Sequence, residues 1–287
     1  MERILVATDF STRSDRALRR ASLLARHASA GLYVVHVVDD DQPRRLVEVE
    51  RQETKALLEE FARTMRETDD LACEGRVVLG DAFQGIVKAA DELGVDLIVL
   101  GPHRRQILRD SFLGTTAERA IRDARRPVIM ASGVPAGPYR SVLIATDFSD
   151  SSMIAAQAAK RLGLLDGAHV VALNVFDSDA RSPIVRASMT VKEFEDRIAK
   201  EGKSAERELK EFIRKAGIVA GHRVIQLAEA PPATAIANAA RDMKADLVIV
   251  GTHGRTGVEK WLLGSVAEGV LSSADMDVLA VPPRSDG

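Results

Sequence analysis

One cysteine, Cys73, stands in a chain of 287 residues. That excludes an intrachain disulfide framework and suits a reducing compartment. Charge of one sign is also lacking. A net charge of −2 gives no global pull toward nucleic acid or an anionic membrane. No apolar run approaches the ~18 residues of a membrane span. The first residues, Met1-Glu2-Arg3-Ile4, lead straight into a strand-like run with no signal peptide. The expected location is cytoplasmic, with neither nucleic acid nor membrane as a partner. Familiar catalytic signatures are missing too: there is no G-x-S-x-G elbow, no G-x4-G-K-[ST] phosphate loop and no H-E-x-x-H. The six histidines (His27, His36, His103, His169, His222 and His253) show no metal-ligand spacing, so no metal centre is expected. His36 lies in a strand-like run and reads as a packed residue, and Cys73 reads as a bystander.

What the chain does have is a repeat. Ile4-Leu-Val-Ala-Thr-Asp-Phe-Ser11 matches Val142-Leu-Ile-Ala-Thr-Asp-Phe-Ser149, with changes only among aliphatics. Asp96-Leu97 then aligns with Asp246-Leu247. Gly101, His103 and Arg105 align with Gly251, His253 and Arg255, and Leu113-Gly114 with Leu263-Gly264. Ile4 and Val142 are 138 residues apart and Gly101 and Gly251 are 150 apart, so the second copy has gained 12 residues between these points. The segment Asp177–Thr190 is where the gain is expected. Ordered matches with one net change of offset indicate duplication. The Pro/Gly-rich stretch Ser132–Pro138 marks the boundary and implies domains over 1–132 and 139–287.

Within each copy, short apolar runs alternate with helical patterns. The runs are Ile4–Thr8, Leu32–Val38, Val77–Leu79, Leu97–Leu100 and Val128–Met130, then Val142–Thr146, Val170–Val175, Arg223–Leu227, Leu247–Val250 and Val278–Val281. Those of the first copy are mostly rich in β-branched residues and continuous rather than alternating, as in strands buried on both faces, and the second copy repeats their order. This predicts an α/β fold: two repeated domains, each an open, mainly parallel five-stranded sheet with helices on both faces. The fifth strand of each copy is expected at a sheet edge and needs cover. Pairing the two copies as an intrachain pseudo-dimer would supply it, and association into a homodimer stays open.

In the second copy a glycine-rich segment follows the fourth strand and reads G-x2-G-x9-G-S, with Gly251, Gly254, Gly264 and Ser265 at the fixed positions. Glycines at a strand-to-helix turn let backbone N–H groups approach an anion, and a helix N-terminus favours one there. Ordinary turn chemistry accounts for the same residues. His253 and Arg255 lie inside the loop, where they either add donors to a phosphate or face solvent. Ala230-Pro231 either closes the pocket or starts a helix. Ligands in parallel α/β sheets sit beyond the carboxyl ends of the strands, and Asp147 and Gly251 both lie just past such ends. Copy one has Arg104 where the second glycine belongs, with Pro102 nearby, and this alters the close backbone approach.

These residues, above all Ala145-Thr146-Asp147 and the glycine loop, resemble the universal stress protein family in its tandem two-domain form, an adenine nucleotide α-hydrolase-like fold. The resemblance covers nearly the whole chain. It implies an ATP-binding stress-response regulatory protein, with or without Mg and with an unknown protein partner. The missing catalytic motifs make any hydrolysis slow and incidental, and the alternatives are a weak ATPase using the same pocket or a nucleotide-free interaction scaffold. By that likeness Ala145, Thr146 and Asp147 lie beside the adenine and Val175 supplies main-chain contacts to the base. Gly251, Gly254, Gly264, Ser265 and Val266 then surround the ribose and phosphates, while His253 and Arg255 lie in the same loop. Asp147 has a second reading as a cap of the next helix. The altered first copy is expected to bind ATP weakly or not at all; the alternative is that Arg104 pairs with a phosphate and binding persists.

Overall fold

A computed structural model describes residues 1–102, 116–254 and 263–283. The first repeat runs β1 (Arg3–Ala7), α1 (Thr12–Ala28), β2 (Gly31–Val38), α2 (Arg44–Asp69), β3 (Cys73–Leu79), α3 (Ala82–Leu93), β4 (Leu97–Leu100), α4 (Thr116–Asp123) and β5 (Val128–Met130). The second runs β6 (Ser141–Ala145), α5 (Asp150–Arg161), β7 (His169–Phe176), a 3-10 turn (Asp179–Arg181), α6 (Pro183–Ala187), α7 (Val191–Ala216), β8 (His222–Leu227), α8 (Pro232–Asp242), β9 (Leu247–Gly251), α9 (Ser265–Ser273) and β10 (Asp277–Val281). Each of the ten apolar runs corresponds to a strand. β2 and β7 start 138 residues apart but α2 and α7 start 147 apart. Nine of the twelve additional residues therefore fall between β7 and α7, where they form the 3-10 turn and α6.

The strands form one sheet in the order β3-β2-β1-β4-β5-β10-β9-β6-β7-β8. Every pairing is parallel except β5 with β10. The expected edges therefore cover each other, and the terminal strands are β3 and β8. Ile129 lies opposite Leu279, Val128 opposite Ala280 and Met130 opposite Val278. Since residues here correspond at an offset of 150, Ile129 faces its own counterpart, and a pseudo-twofold axis passes between the two. A sheet edge is a row of unpaired N–H and C=O groups, so mutual pairing satisfies both repeats at once.

Alternation along the buried strands separates two cores. Ile4, Val6, Ile144 and Ile249 face α1, α2, α5 and α7, while Leu5, Leu143, Val248 and Val278 face α3, α4, α8 and α9. Each core runs through both repeats. Asp96 and Asp246 serve the same purpose in each. The Asp96 carboxylate accepts from the N–H groups of Glu2 and Arg3 at the start of β1, and the Asp246 carboxylate from those of Arg140 and Ser141 at the start of β6.

Cys73 is buried at the start of β3. Burial, the largest influence, pushes its thiol up to about 11. Thiolate is then scarce at neutral pH, and thiolate is the reactive form. Native protein exposed to iodoacetamide near neutral pH should stay unmodified by mass spectrometry and become singly modified in denaturant. Rapid modification of the native protein would contradict the burial.

Candidate functional site

The site forms where β6, β7 and β9 end and α5, α8 and α9 begin. At the end of β6 the chain makes a tight turn through Thr146, Asp147, Phe148 and Ser149. Thr146 N–H still pairs with Leu173 O on β7 at 2.9 Å. Thr146 Oγ1 accepts from Phe148 N–H at 2.9 Å and lies 2.9 Å from Ser152 Oγ. Asp147 Oδ1 accepts from Ser149 N–H at 3.1 Å and from Ser149 Oγ–H at 2.5 Å. These bonds hold Phe148 in the left-handed region at φ 66°, a conformation that costs a non-glycine residue free energy and persists only where its surroundings demand it. The N-cap of α5 is Ser149, which accepts from Ser152 N–H. Asp147 therefore does not cap the helix; it braces the turn that carries the cap.

Repeat one builds the same turn. Phe10 has φ 57°, Thr8 Oγ1 accepts from Phe10 N–H at 3.0 Å, and Asp9 Oδ1 accepts from both Ser11 N–H and Oγ–H. Partial burial raises the Asp9 carboxyl, but the Ser11 hydrogen bonds outweigh it and hold the group below its usual range.

In repeat two the turn opens onto a cavity of about 490 Å³. Ten of the eleven expected residues line it: Ala145, Thr146, Asp147, Val175, Gly251, His253, Gly254, Gly264, Ser265 and Val266. Arg255 lies outside the described residues. Sequence reasoning had not assigned the apolar wall of Leu173, Ile236, Val250, Leu263 and Ala267, or Ser152. Ser152 was findable, because Thr146 and Ser152 repeat the six-residue spacing of Thr8 and Ser14. The expected closure by Ala230-Pro231 moves by one residue. Pro231 is the N-cap of α8, and Pro232 at its first position lines the cavity.

The glycines differ in what requires them. A Cβ at Gly251 would lie 2.5 Å from Ser151 Oγ and 2.8 Å from the Ser151 carbonyl carbon, and one at Gly101 would lie 3.0 Å from Arg13 O. These two glycines therefore let the fourth strand of each repeat pass the first turn of α1 or α5. Helix packing, rather than ligand approach, accounts for them. At Gly254 the nearest atom to an added Cβ is Asp147 Oδ2, at 3.3 Å, so this position borders the carboxylate that faces the cavity. Gly264 is the N-cap of α9 and has no side-chain cap, and its N–H donates to Thr252 O at 2.7 Å. The first-turn amides of Ser265, Val266 and Ala267 thus meet the cavity at the positive end of the helix. His253 packs beside them. Its N–H donates to Ser151 Oγ at 3.3 Å and its Nδ1 lies 3.0 Å from Thr252 Oγ1. His253 Nε2 is buried and, among the described residues, has no hydrogen-bond partner.

Repeat one has a smaller cavity of about 190 Å³ in the corresponding place, lined among others by Asp9, Arg13, His36, Gly101 and Pro102. His36 is half-buried, its ring stacked on Phe10 at 4.8 Å and its Nδ1–H directed to Thr8 O at 2.8 Å. Packing thus accounts for it. His103, Arg104, Arg105, Gly114 and Thr115 lie outside the described residues. No described helix is long and apolar enough to cross a membrane.

Comparison with known proteins covers almost the whole chain. The model of the Universal stress protein family matches twice, over residues 1–132 and 138–282. A universal stress protein of Mycolicibacterium smegmatis is 27% identical over 296 residues, spanning 98% of this chain and 97% of its own. A universal stress protein of Methanocaldococcus jannaschii is 35% identical over 145 residues, covering 50% of this chain and 82% of that protein. The crystal structure of a universal stress protein from Archaeoglobus fulgidus superposes with a TM-score of 0.72 at 21% identity, covering 99% of this chain and 98% of that one, and shares its fold. The chain belongs to the universal stress protein family.

Proposed function

We propose that the second repeat, residues 139–287, binds ATP and that the protein is a nucleotide-responsive regulator rather than an efficient enzyme. The observation that carries this reading is the uncapped N-terminus of α9, which faces the same cavity as Asp147 and as His253 with its unpartnered Nε2. Helix amides and a buried imidazole nitrogen without a partner suit an anion or a polar ligand atom. The wall of Leu173, Val175, Ile236 and Val250 suits the face of a purine, and Asp147 with the Val175 main chain suits its polar edge and the adjoining ribose. Gly254, Gly264, Ser265 and Val266 then surround the phosphates, with His253 and Arg255 as further donors and Mg²⁺ as an accompanying counter-ion. ATP supplies a triphosphate whose presence or absence changes the charge at the α9 terminus. The chain's own residues bind it, orient it and exclude water from it.

Asp147 Oδ1 is already engaged by Ser149 in the turn, which argues for a positioning role over proton transfer. The first repeat, residues 1–132, has a cavity well under half as large and is read as not holding ATP. Equilibrium dialysis of the full chain against ATP should saturate at one nucleotide per chain. Phosphate release should run no faster than spontaneous hydrolysis. Two equivalents would overturn the assignment to one repeat, and none would overturn the nucleotide reading.

A further inference from the structure

The two ends of the sheet are finished differently, and one substitution between the repeats accounts for the difference. At the first end α2 lies directly on the edge strand. A Cβ at Gly75 of β3 would sit 2.6 Å from Leu58 Cβ and 2.9 Å from Leu58 O, so only glycine admits the helix there. The position is matched in repeat two by Arg223. Gly75 pairs with Val34 and Arg223 pairs with Ala172, and Val34 and Ala172 correspond at the offset of 138. An arginine cannot lie under a helix in that contact. Accordingly α7 buries nothing before Ala205, whereas α2 already buries Val47 and Thr54 in its first half. Neither edge strand is well buried: β3 buries only Cys73 and β8 none of its six residues, so the difference between the two ends lies in how the helix covers them.

The result is a groove of about 680 Å³ between the first half of α7 and β8. Its apolar surface comes from Phe176, Ile198, Ile225 and Leu227, and Gly202 lies beside the Phe176 ring, where an added Cβ would make an ordinary contact 3.7 Å from Cζ. Arg223, Ile225 and Leu227 alternate along β8 and so share the groove face. Lys203 and Glu206 line the helix side, and Glu206 already pairs with Lys210 at 2.7 Å. Arg223 also acts on that carboxylate, so Lys203, Lys210 and Arg223 together meet one Glu206 and leave the groove with a cationic excess. Among the described residues β8 ends the sheet and pairs only with β7, which leaves its outer N–H and C=O groups as an edge for another strand.

We propose that the groove between α7 and β8 is a docking site for an extended acidic-apolar segment of a partner protein, added to β8 as a further strand. Main-chain pairing supplies the register. Every second side chain of the segment faces the groove: apolar ones fill the pocket over Ile225 and Leu227, and carboxylates on that same face answer Lys203 and Arg223.

The test uses the full chain and a fluorescein-labelled heptapeptide Glu-Thr-Val-Thr-Val-Thr-Glu, whose glutamates and valines share one strand face, read by fluorescence anisotropy. Saturable binding is expected, about tenfold or more weaker when lysine replaces glutamate in the peptide. Arg223→Gly, which lets α7 settle as α2 does, and Lys203→Glu should each weaken binding by a similar factor. Both side chains lie outside the nucleotide cavity, so ATP binding by dialysis should be unchanged in both variants, and failure of one reading leaves the other intact. Three outcomes would overturn the proposal: no binding, equal binding of the lysine peptide or by the two variants, or a concentration-dependent dimer in sedimentation that Arg223→Gly dissociates, which would assign the groove to a second copy.

Discussion

Gly254→Arg is expected to abolish the ATP-induced rise in melting temperature. At a hundredfold excess over Kd, a ligand bound only to the native state stabilises it by about 2.7 kcal/mol. In a chain of this size that corresponds to a shift of roughly 5–10 °C. The substitution copies into repeat two what Arg104 brings to repeat one. A Cβ alone at position 254 would stand 3.3 Å from Asp147 Oδ2, which a shift of a few tenths of an ångström relieves. Gly254→Ala should therefore lower affinity only a few-fold, by about 1 kcal/mol or less. Arginine does more, because its guanidinium lies within reach of the Asp147 carboxylate. The resulting ion pair would occupy the mouth of the cavity and remove the one acidic group that the described residues place in its lining. Differential scanning fluorimetry with and without ATP separates the two variants, provided the melting temperature without ligand stays near that of the parent protein. An undiminished shift in Gly254→Arg would remove the glycine loop from the ligand site.

Much of this arrangement is legible in the sequence, for a physical reason. Strands buried on both faces have to be continuously apolar, so the eight inner strands could be read as runs, while β8, at the end of the sheet and without a buried residue, follows from the order of the repeat. β3 was read short because Cys73-Glu74-Gly75-Arg76 carries no apolar run: its partner β2 holds that half in register, from Leu32 opposite Cys73, without help from local composition. The repeat supplied the rest. Two copies of the same Thr-Asp-Phe-Ser turn and two glycine loops could be compared without an alignment to anything else. Contacts set by packing alone were not legible. Gly251 reads in sequence as an opening for a ligand, yet its missing Cβ is required by Ser151, a hundred positions earlier in the chain. Leu173, Ile236 and Val250 read as core, which they are; that the same side chains also wall a cavity depends on how α8 and α9 lean on the sheet. The antiparallel pairing of β5 with β10 was expected only as cover for exposed edges. Its register, with Ile129 against Leu279, follows from the pseudo-twofold relation and has no local signature.

The second large effect is expected far from the nucleotide cavity, at a buried ion pair that the repeat does not contain. Arg20 on α1 is 3% exposed and Asp277 at the start of β10 is fully buried. Arg20 Nε–H donates to Asp277 Oδ2 at 2.6 Å, and Tyr139 O–H donates to the same oxygen at 2.8 Å. Gly133 N–H donates to Oδ1 at 2.8 Å, and Arg20 also donates to Gly137 O at 2.8 Å, with its guanidinium 4.3 Å from the centre of the Tyr139 ring. Burial, reinforced by the neighbouring Asp277, pushes the Tyr139 phenol well above its usual range, so it remains a donor across the working pH. The counterparts of Arg20 and Asp277 at offsets of 138 and 150 are Ala158 and Pro127, so this cluster exists once. It ties the first helix of repeat one, the linker and the last strand of repeat two to a single carboxylate. Asp277→Ala strands a guanidinium and a phenol in a dry interior, which costs about 3–5 kcal/mol. For a chain this long that lowers the melting temperature by roughly 6–20 °C. Removing both charges together, as Arg20→Met with Asp277→Ala, should cost less than Asp277→Ala alone, because no uncompensated charge is left behind. Thermal melts of the two single variants and the double variant close that cycle. A fall of under about 1 kcal/mol for Asp277→Ala would be the size of a surface pair, and would mean that β5–β10 pairing holds the repeats together without this cluster.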